Sequence, residues 1–355
     1  MKPLKILLGN NTLSLLAGSE TWVYTLAVQL KKMGHNVSCF AGELGIISEE
    51  LEKQGIHCYS DLSTSNIKQF SPYLEEKIDH DYDVIISNHF HIVEYLRSQF
   101  PTKPIISTIH GILHGDGKEW APEHPALNSG VAQFISVSEE VQEKLRNDYG
   151  LDSIIIRNFF DIEKLGKIKP LSDTPKMFLV NTNYQGKDDE AIVLVKEVAK
   201  YFGAKVSAVG MNFIQQFDLT KAIEDADVVF GMGRSVLEGV AAGRLGIVHG
   251  RWGTGGPINK ENIEEIRHFN FSGRNSEGKL ATKDELIDMI NYNYPNTTNW
   301  SKEYMAQNHN VILAAEEYVR IARELTGEIY SKPGNGVDPQ AHKFRLAKDV
   351  DQTKN

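Results

Sequence analysis

Residues 225–251, DADVVFGMGRSVLEGVAAGRLGIVHGR, decide the architecture. Asp227-Val228-Val229-Phe230 is a short apolar run between polar residues, the pattern of a strand buried on both faces of a parallel sheet. Gly231-Met232-Gly233-Arg234 predicts a tight turn, because two glycines in three residues free the backbone to turn and to approach a ligand closely. Ser235 opens a helix over residues 236–242 that stops at Gly243, and residues 245–249 form the next strand. This order puts a helix N-terminus at the carboxyl edge of a parallel sheet, where free N–H groups and the positive dipole end attract phosphate. Arg234 adds a fork of donors at the same place. Glu238 has two readings. Ser235-Val236-Leu237-Glu238 fits a capping box, in which the carboxylate reaches back to the cap N–H, and the spacing alone favours it. The other reading has the carboxylate gripping a sugar diol beside bound phosphates.

The same alternation runs through the chain. Strands are predicted over 5–8, 35–40, 55–59, 82–87, 104–109, 134–138 and 154–158. Helices are predicted over 20–33, with Trp22, Leu26, Leu30 and Met33 on one face, and over 44–54. A βαβ opening of this kind starts a doubly wound domain. Apolar content falls near 164–173, and the pattern then restarts with strands at 177–180 and 205–210 and helices at 189–202 and 219–225. Gly253-Thr254-Gly255-Gly256 reads as a flexible loop suited to backbone contact with a ligand. Helices at 283–292 and 304–325 follow, and residues 331–355 form a polar tail expected to be disordered. The division is residues 1–165, 166–300, a final helical segment 301–330, and the tail 331–355.

Composition sets the outer bounds. The chain has 355 residues, 41% hydrophobic and 24% charged, which fits two soluble domains better than one core. A net charge of −9 argues against nucleic-acid binding and against general attraction to anionic membranes, though a local basic patch would escape this count. Cys39 and Cys58 both fall in core stretches and read as reduced thiols. No apolar run reaches the roughly 18 residues that span a bilayer, and Lys5 begins a strand directly, so a cytoplasmic protein is expected. Transient, peripheral contact with the inner face of the membrane stays open.

Several polar residues stand at strand ends. His89 and His91 follow Asn88, and a His-x-His pair raises the question of a metal. No third ligand has suitable spacing, so a polar lining of a cleft at the strand ends fits all three better. His110 ends its strand; a histidine there caps the strand or serves hydrogen bonding and proton transfer near neutral pH. Lys187, taken alone, reads as a solvated loop lysine. Asp225-Ala226-Asp227 has a metal-binding form, but one residue ends a helix and the other starts a buried strand, so it reads as structural. His35 reads as a strand-edge residue. Residues 114–129, rich in Gly, Pro and charge, read as a mobile loop at the edge of a site. Ser138 caps the following helix, with Glu139 and Glu140 at its positive end.

Leu237-Glu238-Gly239-Val240-Ala241-Ala242-Gly243 resembles the second half of the nucleotide-sugar motif of family 4 glycosyltransferases, which carries two glutamates eight positions apart. Position 230, where the first would stand, holds Phe, and the preceding loop is shorter than usual. GRSVLEGVAAGR followed by GRWGTGG and NFSGR resembles a short-loop branch common in bacterial sequences. Gly18-Ser19-Glu20 and Gly34-His35-Asn36-Val37 are similar to the family's opening motifs, and Asn158-Phe159-Phe160-Asp161 to its exit to the linker.

The resemblance implies an α/β protein of the GT-B fold, two doubly wound Rossmann-like domains facing across a cleft, with the last helix crossing back to the first domain. It implies donor contacts from Gly18, Lys187, Gly231, Gly233, Arg234, Ser235 and Glu238, the last on the ribose hydroxyls. His110 takes the position of a histidine that touches the donor sugar and is the implied catalytic residue. Asn88, His89 and His91 fall on the acceptor side. Asn181 stands where the family has a diphosphate-binding arginine, and Arg234 and Arg251 are expected to supply the missing charge. The implied reaction is transfer of a hexosyl or N-acetylhexosaminyl group from a nucleotide sugar to a glycan, lipid-linked or small acceptor, with retention, without metal and without cofactor. Two alternatives stand beside it. One is a non-catalytic nucleotide-sugar binder or partner subunit, favoured by the missing glutamate and arginine. The other is a sugar-nucleotide epimerase or hydrolase, which needs carboxylates and histidines clustered in the cleft.

Overall fold

The structure is a computed structural model that describes residues 2–60, 78–79, 81–112, 130–165, 170–183, 185–297 and 300–327. The loop 114–129 and the tail 331–355 lie outside these residues, as does the middle of the linker.

The first domain is a seven-stranded sheet with every neighbouring pair parallel, in the order β3-β2-β1-β4-β5-β6-β7. Its strands are β1 (Lys5–Asn10), β2 (Asn36–Ala41), β3 (His57–Ser60), β4 (Val84–Asn88), β5 (Ile105–Ile109), β6 (Val131–Ser136) and β7 (Ser153–Ile155). Ile6, Leu7 and Leu8 are fully buried although they point to alternate faces, which is why β1 reads as a continuous apolar run. Helices α1 (Gly18–Lys32), α2 (Ile46–Lys53), α3 (Phe90–Gln99) and α4 (Glu139–Tyr149) belong to this domain. Ser138 caps α4, its Oγ accepting from the Val141 N–H at 3.4 Å. The imidazole of His35 accepts from the Leu4 N–H and lies at the strand edge, as the sequence suggests.

The second domain is a five-stranded sheet, β12-β11-β10-β8-β9. It comprises β8 (Met177–Asn181), β9 (Lys205–Val209), β10 (Val228–Gly231), β11 (Leu245–Gly250) and β12 (Gly253–Pro257), with α5 (Glu190–Phe202), α6 (Thr220–Asp225), α7 (Arg234–Ala241), α8 (Ile263–His268) and α9 (Lys283–Asn293). Asp227 is structural, as expected. Its carboxylate accepts from the backbone N–H groups of Ser172, Lys176 and Met177 and from the Tyr294 hydroxyl. Burial pushes its pKa up, but these donors outweigh it and hold the carboxyl below its ordinary value.

Two expectations are corrected. Gly253–Pro257 is an antiparallel edge strand, not a flexible loop. It pairs with β11, with a register shift between Val248 and His249, and the hydroxyl of buried Thr254 bonds His249 Nδ1 at 2.7 Å. The C-terminal helix is also two helices, α10 (Trp300–Asn308) and α11 (Val311–Leu325). At the break the interdomain linker inserts: Phe160 donates to the His309 carbonyl at 3.0 Å, and Val311 donates to the Phe160 carbonyl at 3.1 Å. Asn310 then caps α11 by accepting from the Ile312 N–H at 3.1 Å. Helix α10 packs on α7 of the second domain, where Ser301 donates to the Val240 carbonyl. Helix α11 packs on α1 and completes the first domain's core with Val311, Tyr318, Val319 and Ile321.

Candidate active site

Both sheets turn their carboxyl edges to one cleft. In each, the strand order reverses there: between β1 and β4 in the first domain and between β8 and β10 in the second. Crevices outside such reversals are where doubly wound sheets bind ligands, because neighbouring loops diverge and leave helix N-termini exposed.

Two connected chambers occupy the cleft. The first, about 450 Å³, lies between the N-terminus of α1 (Leu16, Ala17, Gly18), the linker (Phe160, Asp161, Lys164), the 215–220 loop and the face of α7 bearing Glu238. The second, about 370 Å³, is lined by Trp22, His89, His110, Asn158, Met232, Gly233, Trp252 and Asn270. Gly18, Asn181, Asn183, Arg234 and Ser235 line both and mark their junction. Asn183 ties the two walls there, donating to the Leu16 carbonyl at 3.1 Å.

The start of α7 differs from the sequence expectation. Gly233, at φ 57°, is the N-cap, and Arg234 is the first helical residue. Ser235 is therefore inside the helix, and no capping box forms. Glu238 does not reach back to a cap N–H; its Oε1 accepts from Arg234 Nε at 2.8 Å, one helical turn away. The two side chains are 22% and 17% exposed, so the pair is shielded enough for the contact to count. Arg234 Nη1 is buried and has no hydrogen-bond partner among the described residues. A guanidinium with one edge satisfied and the other idle, at the positive end of a helix, is poised for an anion.

Gly231 and Gly233 do different work. Gly231 is the last residue of β10, and a Cβ there would lie 2.9 Å from the Asn181 carbonyl, so it serves close strand packing rather than ligand approach. Gly233 lines the second chamber and takes the left-handed backbone that makes the turn. The Gly233 N–H donates to the Phe271 carbonyl at 2.7 Å.

His110 stands just beyond β5, its ring edge-on to Trp22 at 5.2 Å. Its Nε2 is buried without a hydrogen-bond partner among the described residues, and burial lowers its pKa to about 4. His89 opens α3 in a left-handed conformation (φ 62°). Burial, with lesser repulsion from His110 and His91, lowers its pKa to about 3. Both rings are neutral at physiological pH and offer one donor and one acceptor each.

Not every expected residue arrives. Lys187 is exposed in the turn before α5 and lines neither chamber. Arg251 is exposed and stacks on Trp252 at 4.8 Å, which turns it away from the role of substitute phosphate ligand. Asn88 is wholly buried below the cleft and donates to Asn10, while His91 bonds Asn11 at 3.0 Å; of the three acceptor-side residues only His89 lines a chamber. Conversely, Lys164, Asn183, Trp252 and Asn270 line the chambers without having been singled out by the sequence. Of these, the sequence marked Lys164 only as the start of the linker; in the structure its ammonium lies over the Tyr24 ring at 5.2 Å.

Residues 16–164, most of the first domain, match the family model described as Glycosyltransferase Family 4. The whole chain has the GT-B fold of such enzymes. It is similar to Anabaena HepE, solved in complex with UDP and glucose, at a TM-score of 0.64 and 13% identity over 89% of this chain and 98% of that one. A glycosyltransferase from Rickettsia africae gives a TM-score of 0.60 at 13% identity, covering 91% and 99%. MurG from Acinetobacter baumannii gives 0.51 at 13% identity, covering 91% and 100%. No curated protein matches the sequence. Among the described residues no helix is long and apolar enough to cross a membrane.

Proposed function

We propose that the protein transfers a hexosyl or N-acetylhexosaminyl group from a nucleoside diphosphate sugar to an acceptor presented by the first domain, with retention and without metal. The observation that carries this is Arg234: a half-buried guanidinium whose Nη1 is buried without a partner among the described residues, on the first turn of α7, at the junction of both chambers. A donor laid across the junction puts its nucleoside in the first chamber, its diphosphate at Arg234 and the N-terminus of α7, and its sugar in the second chamber beside His110. Glu238 then accepts from the ribose hydroxyls. The guanidinium and helix dipole stabilise the leaving diphosphate, and preorganised charge of this kind does most in a cleft that excludes water. Neutral His110 holds sugar hydroxyls through Nε2 rather than contributing a charge.

HepE has been solved with UDP-glucose, which makes a uridine diphosphate hexose the first donor to try. The epimerase reading has less support: among the described residues that line the second chamber, no carboxylate stands beside His89 and His110.

The test is a thermal-shift panel of UDP-, GDP-, ADP- and TDP-sugars on the wild type, Glu238→Ala and His110→Ala. A donor at 100 times its Kd stabilises by about 2.7 kcal/mol. One nucleotide should stabilise the wild type, Glu238→Ala should lose the shift, and His110→Ala should keep the nucleotide shift while losing transfer. Absence of a shift with all four sugars overturns the reading.

A further inference from the structure

We infer that the segment Asn270–Arg274 is a lever through which a charged clamp between the domains positions the donor-binding turn, making Glu140 and Arg274 positioning residues although neither lines a chamber. The inference rests on the donor reading for its consequence, but not for its mechanics.

The clamp lies where α4 faces the second domain. Glu140, in the first turn of α4, accepts Arg274 in a forked pair: Nε stands 2.9 and 3.0 Å from its two oxygens, and Nη2 bonds Oε2. Both side chains are 15% exposed, well below the level at which such pairs are lost to solvent screening. Beside it Glu139 accepts from Arg157 of its own domain and from Arg267 of the second domain at 3.4 Å. Both carboxylates also sit at the favourable end of the α4 dipole.

From Arg274 the chain runs back to the site in four residues, and each step is fixed. The Arg274 N–H donates to Ser272 Oγ at 3.2 Å. Asn270 and Phe271 are consecutive non-glycine residues at φ 54° and 53°, a conformation that persists only where its surroundings impose it. What imposes it is visible: Phe271 is buried against the His309 ring, and Asn270 Oδ1 accepts from Asn158 Nδ2 across the domain boundary at 3.0 Å. The Phe271 carbonyl then accepts the Gly233 N–H, which fixes the N-cap of α7. Holding the domains together through Glu140 and Arg274 therefore holds Gly233 in the conformation that presents the first turn of α7. Opening them releases the lever, and Asn270–Phe271 relaxes.

The experiment uses the full chain and two readouts. Glu140→Gln should speed hydrogen exchange of the Gly233 amide by about ten-fold and weaken binding of UDP, GDP or ADP, whichever the wild type takes, by about five-fold or more, the lower end of ordinary coupling between sites. The swap Glu140→Arg with Arg274→Glu should restore both, and Arg274→Glu alone should lose both. A purely structural role would lower the melting temperature and leave the exchange of Gly233 and the ratio of affinities unmoved. Unchanged Gly233 exchange in Glu140→Gln overturns the inference. If the wild type binds none of the three diphosphates and no TDP either, the donor reading fails, and exchange alone then decides whether the lever exists.

Discussion

Arg234 and Glu238 neutralise each other in the structure, and a donor must part or share them. Arg234→Ala is expected to weaken diphosphate binding about 10–100-fold, the usual worth of hydrogen bonds to a charged group, as read by calorimetry. Arg234→Lys should recover only part of it, because an ammonium cannot bond Glu238 and a phosphate in one plane. A second expectation concerns pH. The pKa values of His110 and His309 fall to about 4 and that of His89 to about 3, in each case chiefly through burial. These lie below the 6.5 of a free imidazole, so the unfolded chain binds more protons than the folded one between 6.5 and those values. Their contribution to stability is full above pH 6.5 and is lost as the pH falls, at up to about 1.4 kcal/mol per pH unit for each ring. Melting temperatures should drop steeply from pH 6.5 to 4.5, and His309→Gln should flatten the drop; a pH-independent melt would contradict this. At this scale the sequence showed the convergence of Gly233, Arg234, Ser235 and His110, because each follows a parallel strand and all such ends share one edge. It misplaced Lys187 and Arg251, because a loop cation carries no pattern that says which way it points. Nor could it give Glu238 its partner: spacing allowed the cap, and only the shift of the N-cap to Gly233 removed it.

Among the elements, the parallel strands and most helices between them were legible from apolar runs and their periodicity. The failures were α3 and α8, for which the sequence reading gave no helix, β12 and the α10–α11 break. Four residues of glycine and threonine have no alternation to read, and the strand exists because β11 offers it an edge. The break, by contrast, had a local mark in Asn308-His309-Asn310, since asparagine is a strong helix cap. Asn310→Ala should cost about 1 kcal/mol through the lost cap, measured by urea unfolding. Tyr318 donates to or accepts from Thr108 at 2.8 Å inside the first domain's core. Tyr318→Phe leaves the Thr108 hydroxyl buried and should cost about 1–3 kcal/mol, while Tyr318→Phe with Thr108→Val should recover most of it.

At the scale of the molecule, the two domains are not independent halves. A chain ending at residue 309 would strip Val311, Tyr318, Val319 and Ile321 from the first core; large apolar side chains are worth about 1.5–3 kcal/mol each when buried. The sum rivals the whole stability of a domain, about 5–15 kcal/mol. Such a chain should lose cooperative unfolding of its first domain in circular dichroism while the second still melts. The lock is tight to its ends: Arg323 donates to the Lys2 carbonyl at 2.7 Å, across 321 positions of sequence. This has a consequence for how the molecule is made. As the chain leaves the ribosome the first domain emerges first, yet its core stays open until the last helix is synthesised. The second domain's core, built around Phe178, Val180, Phe230, Ile247 and Leu286, needs nothing made earlier and can close while the first still waits. The order of maturation therefore runs against the order of synthesis, and the nascent first domain is the part that a chaperone has to shelter longest.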